Sequence, residues 1–187
     1  MTTPNRKTDL LDAAIEHVSE HGLTDLSLRG LAAELGTSHR MLSHHFGSKN
    51  GLWTAMVKEV ERRQIATMGE PPDPSLTLGE VLRSHWRAIS DPALWPSERL
   101  FFEVYSRALS GAPGTEGFLD DIVESWIAPA VEMAPTLGIP GEHARPLARL
   151  GVAVTRGLLL DLLATGDRAG VDAAMDVWIE SVSSLLE

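Results

Sequence analysis

Apolar residues recur every three or four positions along nearly the whole chain, and no run alternates β-branched with polar residues as a strand requires. That periodicity confines the 187 residues to an all-α fold of about nine helices. Leu10, Leu11, Ala14, Ile15 and Val18 make one stripe over residues 8–20, and Gly22 stops it. Ser27 caps a second helix with Leu28, Leu31, Ala32 and Leu35 inward, ended by Gly36. Thr37 and Ser38 cap a third, which buries Met41, Leu42 and Phe46 and breaks at Gly47. Ser48 caps a fourth, with Leu52, Met56, Val60 and Gln64 on one side. Two short helices joined by a glycine and a cap form a helix-turn-helix over residues 27–46.

A proline-rich break follows at residues 70–75. Thr77 and Glu80 form a capping box that opens the next helix. Ser97 caps another, and a long one starts at Thr115 and kinks or stops at Pro129. The last two helices are the most apolar. One carries Leu147, Leu150, Val154, Leu158 and Leu162 and runs to about residue 164. The other carries Ala174, Met175, Trp178, Val182 and Leu185 over residues 171–186. The expected organisation is a helix-turn-helix domain at residues 1–50 and a larger helical domain at 51–187.

Charge is unevenly distributed. Residues 1–63 hold eight Lys+Arg and eight Asp+Glu, so the formal net charge of -10 falls wholly on the rest. Between Glu34 and Glu59 there is no carboxylate, while His39, Arg40, His44, His45, Lys49 and Lys58 lie there. The groove wall of DNA is phosphate, so a reading helix needs cations, hydroxyls and N-terminal amides and is harmed by carboxylates. Thr37, Ser38, His39, Arg40, Ser43 and His44 supply that content, with Lys49 placed to reach a phosphate. Arg40 suits either a guanine edge or a phosphate.

Other chemistries find little support. Without cysteine there is no disulfide framework or thiolate metal site. His44 and His45 are adjacent, point in different directions and have no carboxylate nearby, so no metal site is expected. No nucleophile elbow, phosphate loop or HExxH occurs, so no catalytic residue and no cofactor are expected. The opening MTTPNRKTD reads as a short polar tail, and the longest near-apolar stretch, residues 157–164, is too short to span a bilayer. A cytoplasmic location is expected.

The stretch LRGLAAELGTSHRMLSHHFGSKNGL resembles the helix-turn-helix of the TetR family of bacterial transcriptional regulators. The match runs from Leu11 through Ala14, Gly22, Leu28, Ala32, Leu35 and Gly36 to Leu42, His45, Phe46, Ser48, Lys49 and Leu52. The resemblance implies a repressor released by a small-molecule effector. Ser27 would touch the DNA backbone, Ser38, His39, Arg40, Ser43 and His44 would lie on the reading helix, and Lys49 would hold phosphate. Ser43 stands where the family mostly has a tyrosine, and Asn50 and Gly51 replace its usual acidic residues. The alternatives are a TetR-like fold that has lost DNA binding and acts through protein contacts, and a small helical enzyme.

Such regulators pair, each copy reading half of a palindromic double-stranded operator. The expected homodimer interface draws on Leu150, Val154, Leu158, Leu162, Met175, Trp178 and Val182, because the last two helices are apolar on more than one face. Trp178 fits an interface anchor and a core residue equally well. Trp86, Phe101, Phe102, Tyr105, Trp126 and Arg156 are the candidate lining of an effector pocket. Each aromatic taken singly also fits a core stripe.

Overall fold

The computed structural model describes residues 6–22, 27–68, 73 and 75–186. Among them are nine α-helices and one 3-10 turn. The residues before 6 and most of the break expected at 70–75 lie outside the described residues. The helices fall into two compact units.

The first unit comprises residues up to 62 and residues 93–120. It holds α1 (Arg6–His21), α2 (Leu28–Glu34), α3 (His39–Phe46), the head of α4 (Lys49–Met68) and α6 (Trp95–Leu109). The second, residues 63–92 and 121–187, holds α5 (Leu78–Ile89), α7 (Glu124–Met133), α8 (Gly141–Thr165) and α9 (Arg168–Leu185). The boundary expected at residue 50 lies inside α4, and the first unit takes in α6.

Leu10, Ala14 and Val18 of α1, Leu28, Leu31 and Ala32 of α2, and Leu42 and Phe46 of α3 are all buried. Caps start both short helices: Ser27 Oγ accepts from Gly30 N at 3.2 Å, and Ser38 Oγ accepts from Met41 N at 3.2 Å. Gly36 takes φ +60° between them, a backbone that a β-carbon would strain. Thr37 does not share the cap. Its hydroxyl is buried without a hydrogen-bond partner among the described residues. On α6, Phe101 stacks edge-on with Phe102 at 5.1 Å and lies 6.4 Å from Phe118.

In the second unit α8 packs on both α7 and α9, and α9 on α5. The Thr77–Glu80 capping box is complete: Glu80 Oε2 accepts from Thr77 N at 2.8 Å, and Thr77 Oγ1 accepts from Glu80 N.

Two expected helix boundaries are corrected. Residues 115–123 are turns and bends, not helix: Gly117 takes φ +66°, which an α-helix does not admit, and Thr115 Oγ1 donates back to Ala112 O at 2.7 Å. The helix begins only at Glu124 and runs through Pro129 instead of stopping there. Ser97 is likewise not a cap. Here α6 begins at Trp95 with Pro96 in its first turn, where a missing N–H costs nothing.

Candidate nucleic-acid interface

Leu42 and Phe46 press one side of α3 into the core, leaving His39, Arg40 and His44 exposed on the other. Neither α3 nor the first turn of α4 carries an acidic residue. Ser27 and Ser38 are exposed at the helix starts, each already engaged as a cap, so any phosphate would share a hydroxyl that orders the helix. Ser43 is half-buried, with its hydroxyl 3.3 Å from His39 Nε2. That pair ties two of the candidate contact residues together. His45 turns inward, and its Nε2 is buried with no hydrogen-bond partner among the described residues.

Lys49 is half-buried and its ammonium rests 4.2 Å from the centre of the Trp53 ring. Arg107 of α6 stands near the same indole, its guanidinium carbon 5.7 Å from the ring centre. Arg107 also donates to Glu103 Oε1 at 2.7 Å and to Asn50 Oδ1 at 3.2 Å. On α4, Asn50, Thr54 and Lys58 are spaced by four and share one face. Each donates to a carbonyl of the segment after α6: Pro113 at 2.9 Å, Gly114 at 2.9 Å and Gly117 at 2.8 Å. The sequence reading missed Asn50, Trp53 and Arg107 as parts of this face. Of the three only Asn50 had a signal in the sequence, its departure from the family pattern.

The six candidate effector residues divide between the units. Phe101 is buried and Phe102 and Tyr105 half-buried in the first, where Tyr105 meets Phe118 at 6.2 Å. Trp86, Trp126 and Arg156 lie in the second. There Trp86 is buried and donates Nε1–H to Asp172 Oδ1 at 2.6 Å, and Arg156 donates to the Ile122 carbonyl. The second unit also has an open groove of about 530 Å³ bordered by Thr77, Arg83, Leu137, Ile179 and Ser183. None of the six candidates lines it.

His85 lies 6.1 Å from the Trp126 ring, and burial holds its imidazole below the ordinary titration range. A folded-state pKa below the unfolded one means that the unfolded chain binds more protons, so stability falls as pH drops through the unfolded value of about 6.5. Thermal melts at about pH 7.5 and about pH 5 should therefore diverge more for the wild type than for His85→Phe, which has no proton to bind. Equal divergence would remove His85 as a source of acid sensitivity.

The candidate interface residues also divide by face. Leu162, Met175 and Val182 are buried inside their own unit, while Val154, Leu158 and Trp178 are half-buried and Leu150 is exposed. Beside Leu150, the exposed apolar and small positions include Ala153, Gly157, Leu160 and Ala164 on α8 and Ala173, Ala174, Val177, Ser181 and Leu185 on α9.

Residues 10–56 match the family described as bacterial regulatory proteins, tetR family. An HTH-type transcriptional regulator BetI of Ectopseudomonas mendocina is 33% identical over 67 residues, covering 36% of this chain and 34% of that protein. The match thus spans about a third of that curated relative's length. A solved TetR transcriptional regulator from Legionella pneumophila has the same fold, with a TM-score of 0.70 over 97% of this chain and 99% of that one, at 20% identity. The multidrug binding protein EbrR, solved with imidazole, superposes with a TM-score of 0.62 over 94% of this chain and 88% of its own, at 24% identity. Among the described residues, no helix is long and apolar enough to cross a membrane.

Proposed function

We propose that this chain, whose residues 10–56 match the TetR family of bacterial regulators, is a sequence-specific DNA-binding regulator of transcription, a repressor that a small molecule releases from a palindromic operator. The observation that carries this reading is the capped, carboxylate-free face of α3, with His39, Arg40 and His44 exposed on it in a chain of net charge -10. Carboxylates abound elsewhere, so their absence here matches what a phosphate-lined groove requires. Residues 1–50 carry the DNA contacts, through Ser27, Thr37, Ser38, His39, Arg40, Ser43, His44 and Lys49. Residues 51–187 carry the dimer contacts and the effector. The half-buried aromatic rings suit an apolar or amphipathic effector.

Arg40 and Lys49 are assigned different tasks. Arg40 lies in the first turn of α3, where side chains of a reading helix reach base edges. Lys49 lies at the head of the next helix, nearer the phosphates. The test starts from duplexes selected by the wild-type protein from a random library. Binding is then measured on the selected duplex and its single-base variants at several salt concentrations. Arg40→Ala should cost about 1–3 kcal/mol and relax preference at one position per half-site. Lys49→Ala should weaken all sequences alike and lower the salt slope by about one unit. Arg40→Ala acting equally on every duplex would make Arg40 a phosphate contact and leave specificity to His39, His44 or DNA shape. No salt-dependent duplex binding by the wild type would overturn the reading and favour a role in protein contacts.

A further inference from the structure

We propose that Asn50, Arg107 and the segment 111–117 form a latch that positions Lys49 for its phosphate. This inference rests on the DNA-binding reading above and adds residues outside the helix-turn-helix to it. Three carbonyls of one loop, those of Pro113, Gly114 and Gly117, are collected by Asn50, Thr54 and Lys58 along a single face of α4. Asn50 is the node. Its amide nitrogen donates to the loop while its amide oxygen accepts from Arg107, so one side chain ties the head of α4 both to the loop and to α6. Glu103 holds Arg107 through two further bonds to Oε1, at 2.7 and 3.1 Å.

The loop lies tight on the helix. A β-carbon at Gly114 would stand 2.8 Å from Ser48 Oγ, 2.9 Å from Asn50 Cβ and 2.9 Å from Gly51 N. Gly114 is thus pressed against the same turn that carries Lys49. The Lys49 ammonium shares the Trp53 indole with the Arg107 guanidinium. Ring attraction holds the ammonium, and the like charge of Arg107 disfavours rotamers that bring the two cations together. An aspartate or glutamate at position 50 would keep an acceptor for Arg107 but lose the donor to Pro113 O. The amide therefore accounts for the departure from the family's acidic pattern. Asn50 and Arg107 are positioning residues: they act on DNA through Lys49.

The experiment is a double-mutant cycle on the full chain, with the selected duplex as probe, at several salt concentrations. The variants are Asn50→Ala, Lys49→Ala and their combination. Asn50→Ala should weaken binding on the order of tenfold, the loss expected for one charge-assisted contact, and lower the salt slope by up to about one unit. In the Lys49→Ala background it should change affinity by less than about twofold, because the residue it positions is gone. Gly114→Ala, which lifts the loop without altering a polar group of α4, should repeat both results and keeps the test decisive if Asn50→Ala fails to fold. Equal weakening of both backgrounds, or a lowered melting temperature with an unchanged salt slope, would overturn the latch while leaving Lys49 as a DNA contact. A Lys49→Ala variant with unaltered affinity and slope would overturn the latch together with the assigned role of Lys49.

Discussion

Replacing Leu160 and Val177 together with glutamate should turn the proposed dimer into a folded monomer and lower operator affinity by about 10²–10⁴-fold. Both side chains are mostly exposed in the single chain, at 53% and 64%, so the substitution costs the subunit little. They stand among the exposed apolar and small positions of α8 and α9, a surface that a second copy can approach closely. In a two-fold dimer each new carboxylate occurs twice, and burying a carboxylate without a partner costs several kcal/mol. Losing the dimer then separates two reading heads that had bound as one bivalent unit, which sets the scale of the affinity loss. Sedimentation at micromolar concentration gives the oligomeric state, and circular dichroism should give an unchanged helix content. Leu162→Ala is the contrast. Leu162 is wholly buried, so that variant should lose about 2–5 kcal/mol of fold stability with the dimer contacts intact. A double-glutamate variant that remains a dimer would place the interface elsewhere.

The same helices explain why the outward face was not legible in the sequence. Leu158, Leu159, Leu160, Leu162 and Leu163 put apolar groups on more than one face of α8. Period alone then cannot choose a face, whereas packing chooses Leu159 and Leu162 for the interior and leaves Leu160 outside. What could be read directly was local. The Ser27 and Ser38 caps, the Gly36 turn and the Thr77–Glu80 box each depend on residues within a few positions, and all four form as their spacing requires. The carboxylate gap was also legible, because charge composition needs no fold to be counted. The latch at the head of α4 was not. Its bonds join residues 57 to 63 positions apart, and nothing in GAPGTEG beyond turn-forming residues says which helix will receive its carbonyls. The misplaced helix at 115–123 failed for a related reason: Gly117 takes φ +66°, outside the helical region, and its carbonyl is held by Lys58, 59 positions away.

Gly51→Ala should destabilise the protein by about 3 kcal/mol, against the direction that helix propensity alone would give. Gly51 is in the second half of the first turn of α4, where alanine normally stabilises by about 1 kcal/mol. Here a β-carbon would stand 2.1 Å from the carbonyl oxygen of Phe46 and 3.3 Å from its carbonyl carbon. Those are backbone atoms at the end of α3, and the oxygen is further fixed by accepting from Ser48 N at 2.8 Å. Neither can swing aside as a flexible side chain would, so α4 has to move away from α3. That movement separates Lys49 from the reading helix and strains the contacts of Leu52, which is fully buried one residue on. For a chain of this length the loss corresponds to a fall in melting temperature of about 6–12 °C. Gly141→Ala supplies the comparison at the head of α8, where no heavy atom lies within 4 Å of the new carbon and the change should be neutral or stabilising by up to about 1 kcal/mol. Thermal and urea unfolding of the two variants should move in opposite directions. If Gly51→Ala instead tracks Gly141→Ala, the close approach of Phe46 to α4 does not constrain this turn, and the family departure at position 51 loses its steric explanation.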